Sequence, residues 1–499
     1  SSRRRHTRCA IKSRGLGDVY KRQDATTRET LDFDRYDYRA FDNDKPAIAA
    51  DAEAKGDFTL LLESDDHYGR YAWKILSDTL CYAAELVPDV NESLVAVDDA
   101  MKLGYNWIQG PFEMIDAIGV DRFTERLERE GRSVPDFVRT AASQSFYRVE
   151  DGALQYLLAD GSYRQLERAP GVRRFSEERR TRTATFENAV ASYFVLPGEM
   201  GLVEFHSKAN TLDGNSMKLI EEAVGHASEN CKALIIHNDA QHFSCGVNLD
   251  GVLDFIVRDD FDGLDRFLDH FQQTCLSLRM APVPVVTAAS GLSLGGGFEV
   301  VLHTDKAIFH ANSVTGLVES LVGVVPGGGG VKEMVYRWTK QLGDVTRGAW
   351  QAFMNVGYGK TARSPLEAKE LCLFRQGTDD YLMNRDRLLD TAIDAAKAMA
   401  PSYSPRGREP IAAAGREACA EMVEWLGKAH AKGHLTPHDV TTGSKIAMIV
   451  TGGDVDAGQT ITEQDLFDLE RSAFVALCQT GETRARLEHM LAYGSPLRN

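Results

Sequence analysis

The sequence lacks paired cysteines, internal repeats and any long apolar segment. The only long uncharged stretch, between Arg279 and Glu299, contains two prolines and four glycines, which is poor material for a spanning helix. No C-x-x-C pair is present, so we expect neither a disulfide framework nor a zinc site with paired ligands. We predict a cytoplasmic chain without a transmembrane segment and with eight reduced cysteines, at positions 9, 81, 231, 245, 275, 372, 419 and 478.

Outside residues 1–23 the sequence has no surplus of basic residues. The formal net charge is −16. Residues 1–23 contain eight basic residues and one acidic residue, while residues 24–499 contain 49 basic and 72 acidic residues, a net charge of −23. Such an acidic body argues against sequence-independent binding to nucleic acid, which requires a basic surface.

Residues 1–23 are interpreted as a non-native leader. They contain arginines but no apolar core of about 7 to 15 residues, so they are not a secretory signal, and a basic transit peptide is the alternative. The segment also resembles a translated sequencing adapter. On this interpretation we expect the native chain to begin upstream of Asp24 and the present sequence to be a fragment.

The rest of the sequence divides into four predicted regions. Helical spacing of apolar residues from about residue 71 to residue 140 indicates a small helical domain within residues 24–150. Residues 151–185 are expected to be a linker with a short hairpin. Over residues 186–400, apolar strands alternate with helices, which predicts an α/β fold with a covered sheet. Residues 401–499 are predicted to be a C-terminal helical extension.

Two glycine-rich turns each follow a predicted strand. They are FSCGVN, residues 243–248, and GLSLGGGFE, residues 291–299. Glycine permits a sharp turn and close approach to a ligand, and a helix beginning there presents free N–H groups. Side by side, the two turns could offer two donors to one oxygen, which is an oxyanion hole in outline. Each turn taken alone is more simply explained as a tight packing turn.

Two carboxylates lie in unusually apolar surroundings. Glu299 stands between Phe298 and Val300, and Glu319 follows Leu317 and Val318. An acidic residue in such a setting must be paired, protonated or functional. Either residue alone could be a satisfied structural carboxylate. Together, twenty residues apart and behind the glycine turns, they are candidates for an acid/base pair that activates water.

The segments VTAASGLSLGGGFEVVLHTD and GLVESLVGVVPGGGG closely resemble the enoyl-CoA hydratase/isomerase (crotonase) superfamily. The resemblance covers residues 186–400 and implies a crotonase-like fold of spiral ββα units. It implies that the N–H groups of Val247 and Gly296 form an oxyanion hole and that Glu299 and Glu319 are the catalytic pair. The neighbouring loop residues that it implies for substrate binding are Cys245, Gly246, Gly295 and Gly297.

The first turn departs from the family pattern A-G-A-D. It reads Cys245-Gly246-Val247-Asn248, so an amide replaces the aspartate and a thiol replaces a small side chain. Because backbone groups would form the oxyanion hole, we expect the hole to survive this change. A catalytic role for Cys245 is not expected, because no histidine is placed by sequence to activate the thiol.

A second resemblance lies in AMKLGYNWIQGPFEMIDAIG, residues 100–119, which is similar to the C-terminal helical domain of 3-hydroxyacyl-CoA dehydrogenases. It implies an all-α domain. Nothing in the sequence matches the nicotinamide-binding domain that precedes it in those enzymes. The order of regions is similar to bacterial bifunctional β-oxidation proteins, here truncated at the N-terminus. We therefore expect NAD only in the intact parent protein and no dehydrogenase activity in this chain.

The function implied by these resemblances is hydration of trans-2-enoyl-CoA to 3-hydroxyacyl-CoA in fatty-acid β-oxidation, with an acyl-CoA substrate and no metal or other cofactor. One alternative is an enoyl-CoA isomerase, which commonly uses a single carboxylate near the Glu319 position. The other is a non-catalytic acyl-CoA-binding or assembly module. No nucleic acid or membrane is expected as a partner. Whether the chain forms a homo-oligomer, and which acyl chain length it prefers, stays open.

Overall fold

The computed structural model describes residues 21–23, 28–32, 34–40, 45–105, 107–405 and 407–499. The chain divides between Leu166 and Glu167 into two compact units. Of the predicted leader, residues 1–20 lie outside the described residues, as does Cys9. No helix in the described ranges combines the length and apolar character needed to cross a bilayer.

The first unit combines helices with short antiparallel strands. Its helices are α1 (Ala47–Lys55), α2 (Thr59–Glu63), α3 (His67–Glu85), α4 (Leu94–Tyr105), α5 (Pro111–Ile118), α6 (Val120–Arg129) and α7 (Asp136–Thr140). Its strands are β1 (Lys21–Gln23), β2 (Arg28–Asp32), β3 (Asp37–Ala40), β4 (Tyr147–Glu150), β5 (Ala153–Leu157) and β6 (Tyr163–Gln165). They form two three-stranded sheets, β1-β2-β3 and β4-β5-β6.

The core of the first unit is built around aromatic residues of α5, of α7 and of the bend before β4. Phe112, Phe137 and Phe146 are buried, with ring centroids 4.8–5.5 Å apart. Burial of each such side chain contributes about 1.5–3 kcal/mol. The same core includes Leu154 and Leu157 of the β4-β5-β6 sheet. The all-α prediction for residues 24–150 is therefore wrong in part: helices dominate, but strands precede and follow them.

The second unit is an α/β fold. Its strands are β7 (Phe186–Glu187), β8 (Ala191–Leu196), β9 (Met200–Phe205), β10 (Ala233–His237), β11 (Val285–Ala289), β12 (Leu292–Leu294), β13 (Lys306–His310), β14 (Val314–Gly316), β15 (Thr361–Ala362), β16 (Asp380–Leu382), β17 (Ile411–Ala412) and β18 (Thr460–Ile461). Its α-helices are α8 (Phe175–Glu178), α9 (Gly214–Asn230), α10 (Leu249–Val257), α11 (Phe261–Met280), α12 (Gly296–Leu302), α13 (Gly330–Leu342), α14 (Val345–Gly357), α15 (Pro365–Glu370), α16 (Leu388–Met399), α17 (Gly415–Ala431), α18 (Pro437–Val450), α19 (Glu463–Cys478) and α20 (Gly481–Tyr493).

A seven-stranded sheet in the order β16-β13-β11-β10-β9-β8-β7 organises this unit. In this sheet β9, β10, β11, β13 and β16 pair in parallel, and β8 and then β7 add antiparallel at one edge. A small sheet, β12-β14-β15, carries the second glycine turn beyond the end of β11. The α/β prediction is confirmed, and so is the alternation of apolar strands with helices such as α9 and α11.

The two faces of the main sheet are covered by different parts of the chain. On one face, α16 packs Leu389 and Ile393 against Ile235, Val286 and Ile308. The other face belongs to a larger core that also contains side chains of the predicted C-terminal extension. Residues of α17 to α20 in that core include Met422, Leu426, Ile446, Val450, Phe474, Leu477 and Leu487. The C-terminal helices are therefore part of the same compact unit as the sheet.

Candidate active site

The two glycine turns predicted from the sequence lie side by side. Ser244 and Ser293 form a parallel bridge, and Leu294 N donates to Ser244 O at 3.0 Å. Gly246 has φ +106°, and a Cβ there would lie 3.2 Å from Leu294 O and 3.6 Å from Gly296 N. A side chain at residue 246 would therefore meet both an unfavourable φ and the backbone of the second turn.

Val247 and Gly296 bring two backbone donors to this junction. In the part of the chain that the structure describes, neither N–H has a hydrogen-bond acceptor. The residues are close neighbours, because a Cβ on Gly296 would lie 2.7 Å from Val247 Cγ2. Gly296 is also the first residue of α12, so its N–H is one of the unsatisfied donors at a helix start. This arrangement can stabilise negative charge on a ligand oxygen.

The remaining loop residues shape the same junction. Gly295 precedes α12 with φ +51°, and its N–H donates to Gly316 O at 2.9 Å. Gly297 packs so closely on Ser244 that a Cβ would lie 2.4 Å from Ser244 Oγ. These contacts explain why small residues occupy the start of α12, where Gly296 and Gly297 lie against the first turn.

Glu299 lies inside α12 with a buried carboxyl group. Its Oε1 atom accepts hydrogen bonds from Gly328 N at 2.8 Å and Gly330 N at 2.7 Å. A Cβ on Gly330 would lie 2.9 Å from the same oxygen, so the glycine turn before α13 is shaped to surround this carboxyl group. Burial raises the pKa of Glu299 to about 7, against the lowering effect of the two N–H groups and the Lys332 ammonium.

Glu319 begins a 3-10 helix, Glu319–Val322, and has different surroundings. Both carboxyl oxygens are buried, and neither accepts a hydrogen bond of regular geometry from the described residues. The side chain points toward the second glycine turn, since a Cβ on Gly295 would lie 3.2 Å from Glu319 Oε1. Burial and then the charge of Glu299 raise the pKa of Glu319 well above its usual value; the N–H groups of Glu319 and Val318 oppose the shift. Glu319 is therefore the more readily protonated of the two groups.

Cys245 and Asn248 are the two residues at which the first turn departs from the family pattern. Cys245 is half-buried, and burial raises the pKa of its thiol, which disfavours a nucleophilic thiolate. The nearby His242 uses Nδ1 to accept a hydrogen bond from Leu292 N at 3.3 Å. Asn248 caps α10, with its side-chain oxygen accepting from Asp250 N at 3.1 Å.

A buried ionic cluster behind α12 was not predicted from the sequence. Lys332 is fully buried and donates to Glu333 at 2.7 Å and to Glu463 at 2.6 Å. Its ammonium lies 3.0 Å from Nε2 of His303, whose Nδ1 lies 2.7 Å from the Glu299 carbonyl oxygen. Burial, then the Lys332 charge, lowers the pKa of His303 well below its usual value, so a neutral ring donates to Glu299 O and accepts from Lys332.

Glu470 is another buried acidic residue that the sequence analysis did not single out. It lies in α19, and its oxygens accept from Gly329 N at 2.9 Å and Lys332 N at 2.6 Å. A signal was present, because residue 470 falls on the apolar stripe of α19 at helical spacing from Phe467 and Phe474. An acidic residue in that stripe required an explanation.

A cavity of about 490 Å³ is lined in part by Ser320 and Leu321, which follow Glu319, and its walls combine apolar side chains with the polar side chains of His434, Asp439, Arg486 and Arg498. The apolar side chains of its walls are Leu321, Phe353, Met354, Trp425, Leu435 and Leu497, among others.

No group of three or more His, Cys, Asp or Glu side chains suited to a metal ion occurs among the described residues.

Comparison with known proteins gives two kinds of match. Residues 199–401 match the enoyl-CoA hydratase/isomerase family. A Bacillus subtilis (strain 168) protein named for 3-hydroxyacyl-CoA dehydrogenase is 33% identical over 461 residues, which cover 91% of this chain and 58% of the relative. A Rickettsia felis protein named for a fatty acid oxidation complex trifunctional enzyme is 30% identical over 287 residues, 58% of this chain and 37% of the relative. The chain thus spans less than two thirds of the length of these relatives.

Solved structures are similar to this chain at low identity. An enoyl-CoA hydratase from Bacillus halodurans aligns with 60% of this chain and 99% of its own, at 18% identity and a TM-score of 0.43. The sequence match to the enoyl-CoA hydratase/isomerase family covers both glutamates and both glycine turns. Residues 199–401 are therefore similar in sequence to the enoyl-CoA hydratase/isomerase family.

Proposed function

We propose that this chain catalyses the hydration of trans-2-enoyl-CoA to 3-hydroxyacyl-CoA as a step of fatty-acid oxidation. The observation that carries the proposal is the unequal environment of the two buried carboxylates. Glu299 receives two N–H donors, whereas Glu319 receives none of regular geometry. Two carboxyl groups whose environments push their pKa values apart are suited to act as base and acid in one reaction.

In the proposed reaction the thioester oxygen accepts hydrogen bonds from the N–H groups of Val247 and Gly296. Glu299 takes a proton from water as the water oxygen bonds to C3, and the electron pair of the C2=C3 double bond moves toward the thioester. The two N–H groups stabilise the resulting enolate charge, and loss of one such donor costs about 3 kcal/mol in comparable sites. Glu319 then donates its proton to C2. The cycle closes when Glu299 releases a proton and Glu319 regains one.

The family match and the cavity support an acyl-CoA thioester as the substrate. The apolar part of the cavity wall, which includes Leu321, supports a substrate with an acyl chain. Hydration needs neither metal nor nicotinamide, and we expect no NADH when the chain is given 3-hydroxyacyl-CoA and NAD.

Isomerisation of an enoyl-CoA on the same scaffold is the second candidate. A double bond can move by proton transfer through a single carboxylate, so this reaction would require Glu319 but not Glu299. The two N–H donors on Glu299 favour hydration, because they hold a second carboxyl group in the site. A binding module without catalysis is the third candidate.

The deciding experiment follows the loss of 2-enoyl thioester absorbance with crotonyl-CoA and with a medium-chain enoyl-CoA. The chain is compared with its Glu299→Gln variant, and 3-enoyl-CoA is tested in parallel. Loss of absorbance that the substitution abolishes supports hydration. Turnover of 3-enoyl-CoA that survives the substitution supports isomerisation instead. Binding of acyl-CoA by a folded chain without turnover of either substrate supports the binding module.

A further inference from the structure

The glycine turn that holds Glu299 is itself held by a side chain from the C-terminal helices. Glu470 lies in α19, about 140 residues beyond the turn, and is fully buried. Its Oε2 atom accepts from Gly329 N at 2.9 Å, and its Oε1 atom accepts from Lys332 N at 2.6 Å. It therefore acts as a remote N-terminal cap for α13.

A remote cap is needed because α13 has no local one. Its N-cap residue is Gly329, which has φ +103° and no side chain. The N–H groups at a helix start have no partner inside the helix and require acceptors from elsewhere when they are buried. At this site the acceptors are two carboxylates, Glu299 and Glu470.

The two carboxylates alternate along the turn. Glu299 accepts from Gly328 and Gly330, and Glu470 accepts from Gly329 and Lys332. Along the chain, the Gly329 N–H that Glu470 binds therefore lies between the two N–H groups that Glu299 binds. A change in the position of Gly329 moves the two N–H groups that orient Glu299.

Other contacts hold α19 near the turn without Glu470. Gln272 donates to Gly327 O and to Phe467 O, each at 2.9 Å, and so bridges the turn to α19. The Lys332 ammonium donates to Glu463 at the start of α19. Loss of the Glu470 carboxylate should therefore loosen the turn while α19 stays in place.

We propose that Glu470 is a positioning residue for Glu299: by fixing the N–H groups of Gly329 and Lys332, it keeps the Gly328 and Gly330 donors aimed at Glu299 Oε1 and leaves Glu299 Oε2 for water. This inference rests on the proposed hydration. It makes α19 part of the machinery that orients the base, and it places no substrate contact on Glu470.

The test replaces Glu470 with Gln, which retains one acceptor oxygen and loses the other. The matched control is Asp344→Ala, which removes the acceptor of Arg347 N at 2.9 Å at the exposed start of the next helix, α14. We expect Glu470→Gln to lower kcat about tenfold, since small misplacements of catalytic groups have effects of this size or larger. KM should change less than about twofold. Asp344→Ala should leave both constants unchanged.

Two further measurements keep the test decisive. Glu470→Asp retains both carboxyl oxygens with a shorter reach; its kcat should lie between those of wild type and Glu470→Gln, and it replaces the amide variant if that variant does not fold. Hydrogen–deuterium exchange of peptides covering residues 327–333 should speed up in Glu470→Gln and not in Asp344→Ala. Wild-type kcat in both Glu470 variants, or an equal fall in kcat for the Asp344 control, would overturn the inference.

Failure of the proposed function would be visible separately. If the wild-type chain does not hydrate either enoyl-CoA, the hydration proposal falls while the anchoring of the turn is still measured by exchange. Equal exchange rates in wild type and Glu470→Gln would then overturn the positioning role as well. Faster exchange confined to the variant would support the anchoring of Glu299 by Glu470.

Discussion

The regions around Glu299 and Glu319 place two buried carboxyl groups in opposite surroundings. Glu299 lies in a regular helix and meets the N–H groups of Gly328 and Gly330. Glu319 begins a short 3-10 turn and has buried oxygens without a regular hydrogen-bond partner among the described residues. The difference shows how one site can keep one carboxyl group ionisable near neutral pH and a second one protonated.

Removal of either carboxyl group should have the largest effect on kcat. Glu299→Gln and Glu319→Gln should each lower kcat for enoyl-CoA hydration about a hundredfold or more, because one loses the base and the other the acid. Acyl-CoA binding should persist in both variants, measured by calorimetry beside the absorbance assay. Near-wild-type turnover in both variants would contradict the two-carboxylate mechanism.

A methyl group placed beside the Glu299 carboxyl group should lower kcat less than removal of that carboxyl group does. Gly330→Ala places a Cβ 2.9 Å from Glu299 Oε1 and should lower kcat about tenfold by displacing the carboxyl group. Gly427→Ala is the control, since nothing lies within 4 Å of its Cβ position on the exposed side of α17. The control should gain up to about 1 kcal/mol of helix stability with unchanged kcat. Equal kinetics in the two variants would show that the glycine turn does not orient Glu299.

The pH dependence of kcat tests whether Glu299 and Glu319 titrate in different pH ranges. Burial raises the pKa of Glu299 to about 7, so the ionised base is lost as the pH falls through that value. We expect kcat to fall roughly fivefold between pH 7 and pH 6. At alkaline pH, activity should decline as Glu319 loses its proton, because its pKa is raised well above the usual value. An acidic limb centred near pH 4 would contradict the assignment of Glu299 as a buried base.

The smallest effect is expected at Asn248, where the first turn departs from the family pattern. Asn248 caps α10 through its side-chain oxygen, and an aspartate can accept the same hydrogen bond from Asp250 N. Asn248→Asp should therefore change kcat less than about twofold, whereas Asn248→Ala should cost about 1 kcal/mol of unfolding free energy. Enzyme kinetics and urea denaturation measure the two quantities. A large change in kcat for the aspartate variant would give this side chain a direct role.

Much of the fold was predictable because it depends on local patterns. Alternating strands and helices predicted the α/β unit, and the glycine turns predicted the start of α12. The first unit was less predictable, since its strands β2 and β3 are short and have no strong apolar alternation. The membership of α17 to α20 in the main core depends on packing between distant segments and has no local signal.

The sequence by itself determined which chemical groups are available: two carboxylates twenty residues apart and two turns whose glycines allow backbone donors to approach a ligand. Tertiary structure decided how those groups differ. The donors to Glu299 lie 29 and 31 residues further along the chain, and Glu470, which caps the same turn, lies 141 residues beyond Gly329. A carboxyl group's pKa depends on burial and on the donors around it, and only the folded chain brings these together.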